Sequence, residues 1–220
     1  MISTPVGMVS QPKLLQTNTP IKAFILAAGK GTRLLPLTNT KPKPLMEVGG
    51  KPVLGWIIDW LVSFGIKDIC INLHYKSMQI MDFVNSYTKL PIVFSLEDQL
   101  LDTAGALKKM EFWLSNPFIV INGDTLTNLD LKAMLMDHLT KNADLTIFTH
   151  DDAIHSGGVY IFNKIILNFL MENKSYSIHK DLIPVIEKDI PTAINLYNDK
   201  AWYLDIGTRE GLKKAREFFK

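Results

Sequence analysis

Residues 22–45 read KAFILAAGKGTRLLPLTNTKPKPL, and this stretch decides the fold class. Its first part, 22–28, is a compact apolar run that ends at Gly29, which is typical of a buried strand in a parallel sheet. Gly29 and Gly31 then open a turn that is rich in Thr, Pro and basic residues. A buried strand that runs into such a turn predicts an α/β fold with a ligand site at the end of the strand.

The rest of the chain alternates segments with strand patterns and segments with helix patterns. One helix face is predicted from apolar residues at i, i+3, i+4, i+7 and i+8, which are Leu54, Ile57, Ile58, Leu61 and Val62. Further helices are predicted at 77–87, 104–114, 129–139, 163–171, 179–188 and 209–219, and strands at 68–73, 91–95, 118–121, 144–149, 157–162, 191–196 and 201–206. This order predicts a mostly parallel sheet with helices on both faces, and the strand-rich later part predicts a small annex.

The composition excludes several classes of protein. The chain has 220 residues, with 24 Lys and Arg, 22 Asp and Glu, a formal net charge of +2 and one cysteine. No apolar run approaches the ~20 residues that span a bilayer, and one cysteine excludes both an intrachain disulfide framework and a cysteine-rich zinc site. The near-zero net charge argues against a nucleic-acid binder. We therefore expect a soluble, cytoplasmic domain of enzyme size, with no nucleic acid and no membrane as partner.

Residues 1–20 differ in composition from the rest of the chain. They contain three prolines, many Ser, Thr and Gln residues, and one charged residue, Lys13. No apolar segment follows a basic one, so a secretory signal is not predicted. We expect a flexible tail or a cloning remnant at 1–20 and a single domain over 21–220. The alternative for the tail is a short arm that packs on a partner subunit, and a homodimer is compatible with the sequence.

The glycine-rich turn has the chemistry of a phosphate site. Glycines let the backbone approach a ligand closely, and successive backbone N–H groups can cradle phosphate oxygens. Four cations and no acid occur between positions 30 and 43, namely Lys30, Arg33, Lys41 and Lys43. This combination suits a nucleoside triphosphate, although G-x-G alone is also compatible with an ordinary turn that has a solvated basic face. The turn is neither a Walker A loop nor a dinucleotide fingerprint, because it lacks their further glycine and lysine positions.

The whole string 26–45 resembles the signature of the sugar-1-phosphate nucleotidylyltransferases, also called nucleotide-sugar pyrophosphorylases. The matching pattern is L-A-A-G-x-G-T-R-L-x-P-L-T-x-x-x-P-K-P-L. Four later stretches resemble further motifs of that family: 97–107 (EDQLLDTAGAL), 122–125 (NGDT), 157–160 (GGVY) and 202–208 (WYLDIGT). The resemblance covers residues 21 to about 218. It implies a Rossmann-like, mostly parallel mixed sheet flanked by helices, with a small β-containing annex that binds the sugar.

The resemblance implies transfer of a nucleoside monophosphate from an NTP to a sugar-1-phosphate, which gives an NDP-sugar and pyrophosphate. Arg33 is expected to grip the departing β- and γ-phosphates, and Lys43 to contact the α-phosphate and the sugar phosphate. Asp124 and Asp205 are expected to hold Mg²⁺. From the residues alone, Asp124 also fits a turn after Asn-Gly, and Asp205 fits a helix N-terminal carboxylate. An acid followed by Thr-Ala-Gly favours guanylyl or uridylyl transfer.

The resemblance also implies which residues bind the two substrates. The nucleotide is expected to contact the glycine-rich turn, the 97–107 segment and the Asn-Gly pair, through Leu26, Ala27, Ala28, Gly29, Gly31, Thr32, Glu97, Thr103, Ala104, Gly105, Asn122 and Gly123. The sugar phosphate is expected to contact Gly158, His179 and Lys180.

The chain departs from the family pattern on the sugar side. Only a short connection, 149–156, stands where many relatives have an excursion with a lysine that contacts the sugar phosphate. Lys43 acting alone, Lys180 or Arg209 are the candidate replacements. His179 stands where an acid is common. These departures keep two alternatives open: cytidylyl transfer to a non-sugar phosphate such as phosphocholine, and a non-catalytic regulatory subunit that binds nucleotide sugars.

Overall fold

A computed structural model describes residues 20–150 and 156–220. The strands are β1 (Lys22–Leu26), β2 (Glu47–Val48), β3 (Lys51–Pro52), β4 (Asp68–Leu73), β5 (Val93–Leu96), β6 (Phe118–Asn122), β7 (Thr125–Thr127), β8 (Leu145–Thr149), β9 (Ser156–Phe162), β10 (Ile194–Asn198) and β11 (Tyr203–Asp205). The α-helices are α1 (Val53–Ser63), α2 (Ser77–Tyr87), α3 (Asp102–Lys109), α4 (Leu131–Thr140), α5 (Ile183–Asp189) and α6 (Arg209–Phe218).

Seven strands form one mixed sheet in the order β10-β8-β9-β6-β1-β4-β5. The first strand lies between β4 and β6 and is parallel to both, and β5 and β10 also join in parallel. β9 runs antiparallel to β6 and β8, which makes the sheet mixed. The predicted α/β fold, with a mostly parallel Rossmann-like sheet and flanking helices, is confirmed. Most of the later strands extend this sheet, and the described residues form two antiparallel pairs outside it, β2–β3 and β7–β11.

The helices cover both faces of the sheet, as the alternation of buried residues along the strands requires. In β1, Ala23 and Ile25 join the core beneath α1 and α2, whereas Phe24 joins the core beneath α3 and α5. All three side chains are fully buried. Because helices cover both faces of the sheet, a ligand can bind at the carboxyl ends of the strands but not on either face.

Three predicted helices differ from the structure by more than two residues at one end or in helix type. The helix predicted at 104–114 is α3, which ends at Lys109; Met110 lies in the turns that follow, and Leu114 lies just after them. The predicted end was wrong because both apolar side chains are buried in the core, and a turn can place them there as well as a helix can. The segment 163–171 contains a 3₁₀-helix, Lys164–Phe169, and 179–188 begins as a π-helix, Ile178–Leu182, before α5.

Two predictions concern residues outside the described part of the chain. The predicted tail 1–20 lies outside it except for Pro20, and so does most of the short connection 149–156. None of the helices in the described part of the chain combines the length and the hydrophobicity of a membrane span.

Candidate active site

A cleft of about 440 Å³ opens at the carboxyl edge of β1, β4, β5 and β6. These four strands are neighbours in the sheet, so the residues that follow them lie side by side. The cleft is lined by Leu26, Ala27, Ala28, Gly29, Arg33, Lys43, Asn72, Glu97, Leu100, Asp102, Thr103, Asn122, Asp124 and Ser175. Its position and size are those of a small-molecule site in an open α/β sheet.

Gly29 and Gly31 have different structural roles in the turn. A Cβ atom added at Gly29 would meet nothing within 4 Å, so the backbone there faces the open cleft. Gly31 has a φ of +65°, and a Cβ atom there would lie 2.8 Å from Thr38 Cγ2 and 3.2 Å from Lys43 Cβ. Gly31 therefore packs the loop against the stem of Lys43 and does not line the cleft.

Two of the four basic residues of the loop point into the cleft. Arg33 and Lys43 line it. Lys41 Nζ instead pairs with Glu47 Oε1 at 2.7 Å on the surface, and Lys30 is exposed outside the lining. The cluster of cations expected from sequence is thus divided between the cleft and the solvent.

Asp124 and Asp205 are brought together by the β7–β11 pair. Asp205 is opposite Thr125 in that pair, and Ile206 N donates to Asp124 O at 3.0 Å. Lys43 Nζ lies 2.5 Å from Asp124 Oδ2, and both side chains are largely buried. These are the two carboxylates of the site that could hold a divalent cation.

Gly207 lies at the centre of this polar group. A Cβ atom built on it would be 2.7 Å from Asp205 Oδ1, 2.9 Å from Arg33 Nη2 and 3.0 Å from Asp124 Oδ2. Its N–H donates to Asp205 Oδ1 at 2.5 Å. Arg33, Asp124 and Asp205 therefore surround one small volume. This volume stays open because residue 207 has no Cβ atom.

The pKa of Asp205 is shifted by the charged groups that lie close to it. Burial raises the pKa of the Asp205 carboxyl, and the negative charge of Asp124 raises it further. The N–H of Gly207 and the cations Lys43 and Arg33 act in the opposite direction. Because burial and the mutual repulsion of the two carboxylates raise the pKa of Asp205 despite these cations, a further bound positive charge would stabilise the ionised pair.

The opposite end of the cleft is built by a chain of hydrogen bonds. Asn72 Oδ1 accepts from Ala27 N at 2.7 Å, and Asn72 Nδ2 donates to Glu97 Oε1 at 2.7 Å. Glu97 Oε2 accepts from Leu101 N at 3.0 Å. Asn72 and Glu97 are both buried. They tie the glycine-rich turn to the start of α3.

Several residues predicted to bind nucleotide make structural hydrogen bonds around the cleft. Thr103 lines the cleft, but its Oγ1 accepts from Ile178 N at 2.8 Å. The N–H groups of Ala104 and Gly105 both donate to Tyr176 O, and both residues are buried. Gly123 N donates to Leu26 O at 2.8 Å, which holds the Asn-Gly-Asp turn against β1.

The predicted sugar-side residues are only partly near the cleft. Gly158 has a φ of +78°, and a Cβ atom there would clash with Thr125 Oγ1, so β9 closely approaches the turn that carries Asp124. His179 Nε2 lies 2.7 Å from Tyr160 OH. Lys180 lines a separate groove, and Arg209 Nε donates to Leu35 O at 2.9 Å. Neither Lys180 nor Arg209 lines the cleft, so neither stands beside Lys43 as a second basic group for the sugar phosphate.

With this geometry in place, comparison with known proteins identifies the family. The family model for nucleotidyl transferases matches residues 22–157. This chain belongs to the nucleotidyl transferase family. As a nucleotidyl transferase it is 30% identical to the D-glycero-alpha-D-manno-heptose 1-phosphate guanylyltransferase of Aneurinibacillus thermoaerophilus, over 90% of this chain and 97% of that relative.

Two further matches extend the comparison. The chain is 30% identical to the mannose-1-phosphate guanyltransferase of Gibberella zeae over 85% of its length, but spans only 61% of that longer relative. Among solved structures, HddC from Yersinia pseudotuberculosis complexed with GMP-PN matches with a TM-score of 0.78 and 29% identity. That match covers 91% of this nucleotidyl transferase and all of HddC.

We expect substitutions of Lys43 and Lys41 in this nucleotidyl transferase to differ sharply in their effect on kcat/KM. Lys43→Ala should lower kcat/KM by about 10²- to 10³-fold, because it removes a cation from the lining of the cleft. Lys41→Ala should remain near the wild-type rate, since Lys41 pairs with Glu47 on the surface. Pyrophosphate release by both variants is the measurement. Equal losses in the two variants would contradict the placement of the cations.

The raised pKa of Asp205 gives a second expected result. In the ligand-free protein the Asp205 carboxyl should take up its proton at a higher pH than an ordinary aspartate, because burial and the charge of Asp124 raise its pKa. A carboxyl whose pKa is raised on folding favours the folded state at low pH, and this contribution is lost as the pH rises through the raised value. Asp205→Asn should therefore raise the Tm of the ligand-free protein at neutral pH, and the gain should vanish in acid. A lower Tm at neutral pH would contradict this.

Proposed function

We propose that this chain transfers a nucleoside monophosphate from an NTP to a sugar-1-phosphate, with guanylyl or uridylyl transfer favoured. The observation that carries the proposal is that Arg33, Lys43 and Asp124 line one end of the cleft, with Asp205 beside Asp124 and Arg33 around Gly207. Two cations and two carboxylates suit a reaction between anionic phosphates. The guanylyltransferases among the relatives support the choice of reaction.

The reaction needs positioning and charge stabilisation rather than an activated side chain. An oxygen of the sugar-1-phosphate attacks the α-phosphorus of the NTP and forms a new P–O bond. The bond from the α-phosphorus to the oxygen that bridges to the β-phosphate breaks, and the electron pair leaves with pyrophosphate. The nucleophile is already an anion, so no proton has to be removed. Arg33 stabilises the departing phosphates, and Lys43 holds the α-phosphate and sugar phosphate together.

Mg²⁺ is part of the proposal, and the residues present fit it. Asp205 Oδ1 and Asp124 Oδ2 both lie within 3.0 Å of the point where a Gly207 Cβ would stand. Among the described residues no group of three or more His, Cys, Asp or Glu side chains could hold a metal alone. Mg²⁺ usually takes one or two carboxylates together with substrate phosphate oxygens, so two aspartates are a sufficient protein contribution. When bound, it would neutralise charge on the phosphates.

The test is a matrix of nucleotides and acceptors. GTP, UTP, dTTP and CTP are each combined with a panel of sugar-1-phosphates and with phosphocholine, in the presence of Mg²⁺ or of excess chelator, and pyrophosphate is measured. We expect release with at least one sugar-1-phosphate and its loss with chelator. Release with CTP and phosphocholine alone would favour the non-sugar alternative. Calorimetric binding of a nucleotide sugar without any release would favour a regulatory subunit.

We also propose a cytoplasmic location. Cys70, the one cysteine of the sequence, is buried and unpaired by disulfide, so the fold makes no use of an oxidising compartment. The homodimer expected as an option from the sequence stays a prediction.

A further inference from the structure

The position of the Arg33 guanidinium depends on a short turn of backbone. Arg33 is the middle residue of the 3₁₀-helix Thr32–Leu34, and its side chain reaches the volume around Gly207 although the residue is exposed. A long exposed side chain keeps much of its rotamer freedom, so the place of its guanidinium is set by the backbone that carries it. A group that fixes this turn therefore also fixes where Arg33 can reach.

The turn is held before, within and after Arg33. Before it, Gly31 O accepts from the hydroxyl of Thr38 at 3.0 Å, and Thr38 is fully buried. Within the turn, Leu34 is fully buried. After the turn, the carbonyl oxygen of Leu35 accepts from both Nε and Nη2 of Arg209, with Nε at 2.9 Å. Thr38 and Leu34 belong to the same loop as the turn, whereas Arg209 comes from α6 and ties the loop to another part of the fold.

The segment from which Arg209 extends is itself fixed. It runs from Asp205, at the end of β11, to the start of α6. Ile206 is fully buried, and the hydroxyl of Thr208 caps the helix by accepting from a backbone N–H of its first turn. Arg209 therefore links a rigid segment that carries Asp205 to the turn that carries Arg33.

This link spans the two sides of the small volume around Gly207. A Cβ atom at Gly207 would lie 2.9 Å from Arg33 Nη2 and 2.7 Å from Asp205 Oδ1, so the guanidinium and the carboxylate face each other across it. A guanidinium donates through a planar fork, and a charged donor makes a stronger hydrogen bond than a neutral one. Release of Leu35 O would let the turn, and Arg33 with it, move away from the carboxylates.

We propose that Arg209 is a positioning residue that fixes Arg33 for the substrate phosphates by holding Leu35 O from the start of α6. The inference rests on the proposed function for the role of Arg33 toward the departing phosphates, and it adds the residue that secures this role. Arg209 is absent from the lining of the cleft, so it acts through Arg33 and not by contact with the substrates. Its task thus differs from that of a replacement for the sugar-phosphate lysine.

The first test compares Arg209→Ala with Arg216→Ala. Arg216 is also an exposed arginine of α6, and its Nε donates to Glu47 O at 3.0 Å, outside the cleft lining. Arg209→Ala should lower kcat/KM by about 10-fold, because the freed turn misplaces Arg33 by a fraction of an ångström. Arg209→Lys keeps a cationic donor and should recover part of the loss. Arg216→Ala should keep the wild-type rate, and all three variants should unfold near the wild-type temperature, since the changes are on the surface.

A double-mutant cycle with Arg33→Ala shows whether Arg209 acts through Arg33. In the Arg33→Ala background, the further change Arg209→Ala should lower kcat/KM by less than about twofold, because the group that it positions is gone. An equal loss from Arg209→Ala in both backgrounds would overturn the inference. A wild-type rate in Arg209→Ala, or a loss in Arg216→Ala as large as that in Arg209→Ala, would overturn it as well.

Calorimetry with inorganic pyrophosphate and Mg²⁺ separates this inference from the proposed function. Arg33→Ala and Arg209→Ala should each weaken pyrophosphate binding by about 10-fold, and the double variant should bind no more weakly than Arg33→Ala alone. If the chain forms no NDP-sugar, this pattern still supports the role of Arg209 while the proposed function fails. If the chain is active but binds pyrophosphate equally with and without Arg209, the proposed function stands and the inference is overturned. A wild type that binds no pyrophosphate would also overturn the inference.

Discussion

Asp124→Asn is expected to lower pyrophosphate release by about 10³-fold or more. The change removes a negative charge from the group formed with Asp205 and Arg33, while it keeps nearly the same side-chain shape. Loss of one of two proposed metal ligands removes several kcal/mol of charge stabilisation, which corresponds to a rate loss of this order. The measurement is initial-rate pyrophosphate release at saturating substrates.

The control for this variant is Asp189→Asn, which changes an exposed aspartate at the end of α5 outside the cleft. It should retain the wild-type rate. Thermal unfolding of both variants checks that the fold is intact, because Asp124 also forms an ion pair with Lys43. If Asp124→Asn unfolds at the wild-type temperature and remains as active as the wild type, the carboxylate pair is not the reaction centre.

Gly207→Ala is expected to lower kcat/KM by about 100-fold or more without unfolding the protein. The added methyl group would stand within 3.0 Å of Asp205 Oδ1, Arg33 Nη2 and Asp124 Oδ2. All three are the outer ends of side chains, so the protein can adjust by moving them apart. A displacement of about 1 Å at reacting groups costs on the order of 10²-fold in rate.

Thr208→Ser is the matched control for Gly207→Ala. It changes the adjacent residue but keeps the hydroxyl that accepts from Gly211 N at the start of α6. It should remain near the wild-type rate, and both variants should unfold near the wild-type temperature. Activity of Gly207→Ala within about threefold of wild type would show that this small volume is not used in the reaction, since a displaced centre costs far more.

The parallel sheet was predictable because its strands carry strong local signals. Residues 22–28, 68–73 and 118–121 are mostly apolar runs, and they contain or lie within the buried strands β1, β4 and β6. The ends of elements were less predictable. Met110 and Leu114 have helical spacing but pack through turns, because core contact does not depend on the backbone path that reaches it.

The cleft itself was predicted only in part. The string 26–45 indicated the phosphate end, where Arg33 and Lys43 do line the cleft. Asn72 was missed because a single polar residue inside an apolar strand acquires its role from the neighbouring strand, where Ala27 N supplies its partner. Its one sequence signal is polarity at the end of a buried strand.

The positions of Gly207 and Lys180 also could not be predicted from residue type. Gly207 lies within the 202–208 motif, but its role depends on three side chains, two of which come from distant parts of the chain. Lys180 has suitable chemistry for a phosphate ligand, but its helix turns it into a separate groove. The residue type indicates which chemistry a side chain can perform, whereas the packing of the fold determines which site the side chain reaches.

The most direct test of the proposed reaction is the product balance in a single turnover. Enzyme in excess over labelled NTP is mixed with Mg²⁺ and the sugar-1-phosphate that the matrix identifies. We expect the NDP-sugar and pyrophosphate to appear together and in equal amounts, and Asp124→Asn to form neither at a comparable rate. Nucleotide binding without pyrophosphate, or pyrophosphate without an NDP-sugar, would contradict transfer between the two substrates at this cleft.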